Sequence, residues 1–356
     1  MKKHIFIIVR YSLLTSKRDS WIIARQDFEN YRKQLFDNGR LSQREQFFEK
    51  ITLSSIINQS IKPNKDNCTL IILTSDELPK EHYNKLHDMV SIYPWVKIIS
   101  LPPDGNFGNS ISSIVKTELL SFNEEVCYCT VRLDDDDGLS FNYFEKIQQY
   151  MHSKFNKMCI SFGLGVAGVY DPLSGVFTSV HEYYQPKIAI GLAYIDQFNP
   201  QDKIDSEIIT IFHLGNHQKI DSRCPVVVDS RDIIFFRTVH ILSDSGNDKT
   251  INKITTLSSI DKEMVIESFN IKLKINSSFY EDISKSNIRK KSEDQKNTLS
   301  SKQILLEQVR NKMLEDEIAT LKNKYREITN SRSWKIMGPA RYTASLLRKI
   351  YNTIIK

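Results

Sequence analysis

Apolar residues in the first part of the chain fall into short runs: 4–9, 69–74, 96–100 and 126–133. Each is four to eight residues long and ends in polar or turn-forming residues, the signature of a central strand covered on both faces. Between the runs the apolar period changes. Residues 43–59 place Phe47, Ile51, Ser54 or Ser55, and Ile57 at helical spacing. Residues 79–92 and 109–121 do the same, the latter through Ile111, Ile114, Val115 and Leu119. Strand alternating with helix predicts an α/β fold with a doubly wound sheet, whose ligands bind at the carboxyl ends of the strands.

The pattern changes after 158. Strands are expected at 158–162, 176–181, 188–195, 208–213 and 225–229, with few helices between them, so this half completes the same sheet as a mixed one. The first domain is therefore read as 1–245. Residues 246–300 are rich in Ser, Asn, Asp and Lys and read as a polar linker, with a short helix at the apolar island 264–274. In 301–331, Leu306, Val309, Met313, Leu314, Ile318, Leu321, Tyr325 and Ile328 recur at three- and four-residue steps. That is a helix which either packs on its own domain or pairs as a short coiled coil, a route to a homo-oligomer. Residues 332–356 form a separate basic tail.

Composition narrows the class. A 356-residue chain with 40% hydrophobic residues can fill a sizeable core. No stretch approaches the roughly 18–20 apolar residues of a membrane span, and the N-terminal apolar run is closed by Arg10 without a cleavage site. A cytoplasmic protein is expected. The net charge of +6 equals that of the tail alone, whose basic residues are Arg332, Lys335, Arg341, Arg348, Lys349 and Lys356, so no nucleic-acid-binding core is implied. The five cysteines are odd in number and lack any Cys-x-x-Cys, which favours buried free thiols over disulfides or zinc.

Asp134-Asp135-Asp136-Asp137-Gly138 is the most informative segment. Four adjacent carboxylates repel one another unless they are solvated or a cation neutralises them. They follow an apolar strand and precede a helix expected at 140–150, which puts them at the carboxyl edge of the sheet. As hard oxygen ligands they suit Mg²⁺ or Mn²⁺, and an ion there could bridge to a substrate diphosphate. The alternative is a solvated acidic turn capping the helix. A calcium EF-hand fails on register, because Leu133 and Phe144 would fall at ligand positions, and no Gly-x-x-x-x-Gly-Lys nucleotide loop occurs.

Arg132-Leu133-Asp134-Asp135-Asp136-Asp137 after a strand resembles the Asp-x-Asp motif of GT-A-fold glycosyltransferases, and more narrowly the bacterial rhamnosyltransferase family. Arg10, the segment Phe47–Gln59 and Arg237-Thr238-Val239-His240 extend the resemblance over about 4–245. It implies a GT-A-type, Rossmann-like doubly wound mixed sheet. It also implies a hexosyltransferase moving a sugar, rhamnose by the family's name, from a nucleotide-sugar donor to a glycan or lipid-linked glycan acceptor. By the same resemblance Asp134 and Asp136 are the Asp-x-Asp pair, Asp134, Asp136 and the neighbouring Asp137 meet a divalent ion (Mn²⁺ or Mg²⁺), with Asp136 the foremost ligand, and His240 supplies a late ligand, with His213 and His217 as alternatives. Asp76, Asn106, Asn109 and Asp134 would meet the donor nucleotide, and Arg10 and Arg132 its diphosphate. Asn106 could equally be an ordinary helix cap, and each arginine a structural ion pair. An inverting transfer would need a carboxylate base, for which Glu182, Asp221, Asp229 and Asp232 remain open.

Ser331–Arg341 resembles the tail of many bacterial surface-polysaccharide glycosyltransferases. The amphipathic pattern after Pro339 suits peripheral contact with the inner face of the plasma membrane, or docking on a protein. Two other classes stay open. A Mg²⁺-dependent nucleotidyltransferase would usually carry a Gly-rich phosphate loop near the N-terminus, which residues 1–20 lack. A scaffold with a degenerate transferase domain would bind no nucleotide.

Overall fold

A computed structural model describes residues 1–16, 27–201, 208–240, 248–271, 274–275 and, between 307 and 329, all but 310, 313, 316, 317 and 328. The chain divides into two units, Met1–Gln303 and Ile304–Lys356.

The first unit alternates strand and helix from its start: β1 (Lys2–Arg10), α1 (Phe28–Leu35), α2 (Asn38–Phe47), α3 (Ser54–Ile57), β2 (Cys68–Ser75), α4 (Lys80–Val90), β3 (Val96–Leu101), α5 (Phe107–Ser121) and β4 (Val126–Asp134). A six-residue π-helical segment, Phe48–Leu53, joins α2 to α3, so the helix expected at 43–59 runs continuously from 38 to 57. The second half holds β5 (Gly138–Leu139), α6 (Tyr143–Gln148), β6 (Met158–Phe162), β7 (Leu164–Asp171), β8 (Val176–Tyr184), β9 (Leu192–Phe198), β10 (Val226–Asp229), β11 (Phe235–Val239), α7 (Asp248–Thr255) and α8 (Lys262–Phe269).

Seven strands form the main sheet in the order β10-β6-β9-β4-β1-β2-β3, with β9 antiparallel to both its neighbours and every other pairing parallel. This is a doubly wound mixed sheet, as expected. Side-chain alternation explains why both faces are covered. Ile5, Ile7 and Val9 of β1 pack with Leu41, Phe48 and Ile56 of the α2–α3 helix, while Phe6 and Ile8 face Ile111, Val115 and Leu119 of α5. A second, four-stranded sheet, β5-β11-β7-β8, stands at the carboxyl edge of β4.

Several expectations need correction. Residues 208–213 form turns, not a strand: the Ile208 carbonyl accepts from Ser112 Oγ at 2.6 Å and the Ile211 N–H donates to Thr130 Oγ1 at 2.9 Å, so backbone groups that would enter a ladder are satisfied by side chains. The strand expected at 188–195 begins only at Leu192, after the left-handed turn at Gly191 (φ 69°). β7 was hidden by Gly165 and Gly168, which weaken a strand signal. The helix expected at 140–150 is shorter, 143–148. The linker expected from 246 is folded over 248–271. Ile254, Val265 and Phe269 are buried, and the Ser268 carbonyl accepts from the Phe141 N–H at 2.8 Å.

In the second unit, residues 318–327 are helical, in line with the expected helix, and Ile318, Leu321 and Tyr325 are exposed. The basic tail 332–356 and the rest of 276–306 lie outside the described residues.

Candidate active site

The parallel pairing of β1 and β4 places Arg10 opposite Asp134. Paired residues of adjacent strands share a face, and Arg132, two residues earlier, shares it too. Arg10 Nη2 meets Asp134 Oδ1 at 2.6 Å. Both Arg10 and Arg132 set their guanidinium carbons 5.7 Å from the Phe212 ring centre. Burial opposes ionisation of Asp134, yet Arg10 and Arg132 hold its carboxyl well below the usual range. Arg132 is brought down to about 10, first by burial and then by repulsion from Arg10, and its buried Nε has no hydrogen-bond partner.

The four aspartates are not a solvated cap. Asp135, Asp136 and Asp137 are buried, and α6 begins only at Tyr143 after Asn142. The chain turns at Asp135-Asp136, where the Asp137 N–H returns to the Asp134 carbonyl at 3.3 Å, and then enters β5. The π-helical segment and α3 hold this turn from one side: Thr52 Oγ1 donates to the Asp137 carbonyl at 2.8 Å, and Ser55 Oγ of α3 accepts from the Leu139 N–H at 3.1 Å. On the other side the Thr238 N–H of β11 donates to Asp137 Oδ1 at 3.0 Å. Such π segments recur at functional sites because they re-aim side chains within a helix.

Arg44 of α2 was missed by the sequence reading and sits at the centre. Its Nη1 lies 2.7 Å from both Asp135 Oδ1 and Asp136 Oδ2, and all three side chains are nearly excluded from solvent. Burial and Asp136 push Asp135 up to about 6, while Arg44 and His240 outweigh burial and hold Asp136 down. Asp137 is raised well above the usual carboxylate value, by burial first and then by Asp136 and Asp134. The signal for Arg44 was its spacing, since Arg40, Arg44, Phe47 and Ile51 fall on one helical face and a charge on a buried face requires a partner.

His240 is buried, with Nε2 3.7 Å from Asp136 Oδ2, so the structure brings this expected pair together. His213 instead bonds Thr210 Oγ1 at 2.9 Å, and His217 Nδ1 donates to the Lys187 carbonyl at 2.6 Å. His217 is kept neutral chiefly by burial, and it lies near enough to Arg132, Asp134 and Arg10 to respond to their charges. Asp76 is exposed at the end of β2, and Asn106 caps α5 by accepting from the Asn109 N–H at 3.3 Å.

None of the four base candidates shares a hydrogen bond or ion pair with the acidic turn. Glu182 is exposed on β8. Asp221 pairs with Lys187 at 2.9 Å and Asp232 with Lys146 at 2.5 Å. Asp229 accepts from Arg231 Nε and Nη2 at 2.9 and 2.8 Å and from the Tyr150 hydroxyl at 2.7 Å. The arginine first, then the tyrosine, holds it well below the usual range.

The divalent ion expected at this turn does not fit the arrangement. Asp135 and Asp136 both point an oxygen at Arg44, Asp134 points one at Arg10, and Asp137 accepts from Thr238. Among the described residues no group of three or more His, Cys, Asp or Glu side chains is placed to hold a metal. The five cysteines are free and buried, as expected.

A family model described as "Putative rhamnosyl transferase" matches residues 4–251. The chain belongs to that family. It is therefore a glycosyltransferase, and the doubly wound sheet and the basic edge of β1 and β4 are to be understood in that light. No curated protein matches it. Among solved structures it is similar to the S. aureus protein TarS, residues 1–349, at 11% identity and a TM-score of 0.33, covering 67% of this chain and 60% of that one. It is also similar to the Bacillus anthracis "Putative Glucose-1-Phosphate Thymidylyltransferase" in complex with a sucrose, at 8% identity and a TM-score of 0.32, covering 71% and 94%. A third is mouse xyloside xylosyltransferase 1 in its apo form, at 9% identity and a TM-score of 0.20, covering 48% and 53%.

Proposed function

We propose that this transferase moves a deoxyhexose, rhamnose by the family's description, from a nucleoside-diphosphate donor to a glycan acceptor of a bacterial surface polysaccharide. The observation that carries the donor's placement is the convergence of Arg10 and Arg132 on the Phe212 edge, at the carboxyl ends of adjacent parallel strands. Arg10 is already paired with Asp134, whereas Arg132 offers a buried Nε–H with no partner. A diphosphate is the kind of anion such a pair recognises, because guanidinium donors match phosphate oxygens two at a time. As the donor's bond to the sugar breaks, charge grows on the departing diphosphate, and a fixed buried guanidinium stabilises it without reorganising.

Under this reading Asp134 keeps Arg10 oriented and lies within reach of the donor, and Asp76, Asn106 and Asn109 line the nucleotide side of the same sheet edge. The acceptor's proton goes to a carboxylate other than Asp229, whose lone pairs are taken by Arg231 and Tyr150. Among the described residues no helix is long and apolar enough to cross a membrane. The reading gives contact with the inner face of the plasma membrane to the basic tail, on its run of basic residues in the sequence, and self-association to the helix of the second unit.

The test is release of nucleoside diphosphate from a panel of UDP- and dTDP-sugars, a rhamnose donor among them, in the presence of bacterial lipid-linked glycan. Release from one donor, lost in Arg132→Ala, is expected. No release from any donor would remove the reading.

A further inference from the structure

We infer that Arg44 is the resident cation of the acidic turn, so that this transferase binds its donor's diphosphate without a divalent ion. The inference rests on the transferase reading only for the identity of the ligand.

A metal shared by Asp135 and Asp136 would sit about 2.1 Å from an oxygen of each, on the line of approach common to both. Arg44 Nη1 holds that place, at 2.7 Å from Asp135 Oδ1 and 2.7 Å from Asp136 Oδ2. Two cations cannot share it, since in a water-poor site their repulsion is large. For an ion to enter, Arg44 would have to leave.

Its surroundings oppose that. Arg44 lies on a helix buried nearly all round, with Arg40, Gln43 and Glu45 also excluded from solvent. The side chain is only 7% exposed, so moving it into water would strip it of most of its packing. The carboxylates around it have partners already, Asp134 with Arg10 and Asp137 with the Thr238 N–H. The charge that would call for a metal is therefore met by arginine, and Arg132, next to the expected diphosphate, supplies the positive charge on the ligand's side. Arginine also gives fixed donors in place of an exchangeable ion, which suits a buried anion site.

The test is a Mn²⁺ titration of the chelator-stripped full chain, followed by electron paramagnetic resonance of the free ion, with UDP and dTDP binding measured by calorimetry in EDTA and in Mn²⁺. The wild type should bind no stoichiometric Mn²⁺, and the nucleotide it accepts should bind with affinities within about twofold in the two buffers. Arg44→Gln, with the cation gone, should acquire a Mn²⁺ site that Asp136→Asn removes. One Mn²⁺ per wild-type chain, lost in Asp136→Asn, would overturn the inference; so would nucleotide binding strengthened about tenfold or more by Mn²⁺. The wild-type titration decides even if Arg44→Gln does not fold. Absence of nucleotide binding in both buffers would count against the transferase reading, while the Mn²⁺ titration would still settle the role of Arg44.

Discussion

Arg10 and Asp134 are register partners on adjacent parallel strands, and their side chains close a 2.6 Å ion pair at the carboxyl edge of the sheet. The pair is a direct product of topology: with β1 beside β4, the last residue of one strand faces the last residue of the other. Arg10 is nearly buried, whereas about a third of Asp134 reaches solvent. Replacing Arg10 by Met should therefore cost about 2 kcal/mol, less than the 3–5 kcal/mol of a fully buried pair broken on one side. Adding Asp134→Asn should recover most of that loss. Urea unfolding of the two single variants and the double variant measures the coupling.

Arg132 should behave in the opposite way. Its buried Nε–H has no partner, so it is a cost to the empty fold and a benefit to the bound one. Arg132→Met should leave stability unchanged or raise it, and weaken nucleoside diphosphate binding by about 10- to 100-fold, the range of one charge-assisted hydrogen bond to two. Thermal unfolding and calorimetry on one preparation check both halves.

Small residues on β7 admit the aromatic rings of β11. A Cβ on Gly168 would stand 2.5 Å from Phe236 Cζ and 2.8 Å from Phe177 Cδ1, and one on Gly165 would strike the Phe235 carbonyl and ring. Gly168→Ala should destabilise by about 1–3 kcal/mol, as overpacking does. Because Thr238 of β11 holds Asp137, loosening this sheet should also lower nucleotide affinity. Denaturation midpoints and nucleotide titrations of the variant test both effects.

His4 sets a pH dependence remote from the site. Its ring is fully buried in β1, with Nδ1 donating to the Asp66 carbonyl at 3.1 Å and Nε2 accepting from Thr69 Oγ1 at 2.9 Å. Burial lowers its pKa from 6.5 to about 4. Below 6.5 the unfolded chain takes up a proton that the folded chain refuses. Stability is thus fully present above 6.5 and falls as pH drops toward 4, by up to about 3 kcal/mol from this group. The difference between wild type and His4→Gln in stability over pH 4–7 should show that slope.

Much of this was legible in the chain. The β1, β2, β3 and β4 runs stood out because strands covered on both faces are apolar throughout, and the Asp run declared itself by its position after β4. His240 was placed beside Asp136 as the family resemblance implied. Arg44 was not seen because a helical pattern read from its apolar positions passes over a charge that only a distant turn neutralises, 91 residues away. The second sheet was obscured by Gly165 and Gly168, and the strand expected at 208–213 was lost to side chains of β4 and α5. These are tertiary effects, absent from local periodicity.

The basic edge of β1 and β4 is the core of the account, and binding at that edge should stabilise the fold. The decisive measurement is a thermal-shift series with UDP- and dTDP-sugars in EDTA, on wild type and Arg132→Ala. At about 100 times its dissociation constant a true donor adds about 2.7 kcal/mol, which raises the melting temperature of a domain this size by several degrees. The account predicts such a rise for one donor in the wild type and a much smaller one in Arg132→Ala. No rise with any sugar nucleotide, or an equal rise in both proteins, would contradict it.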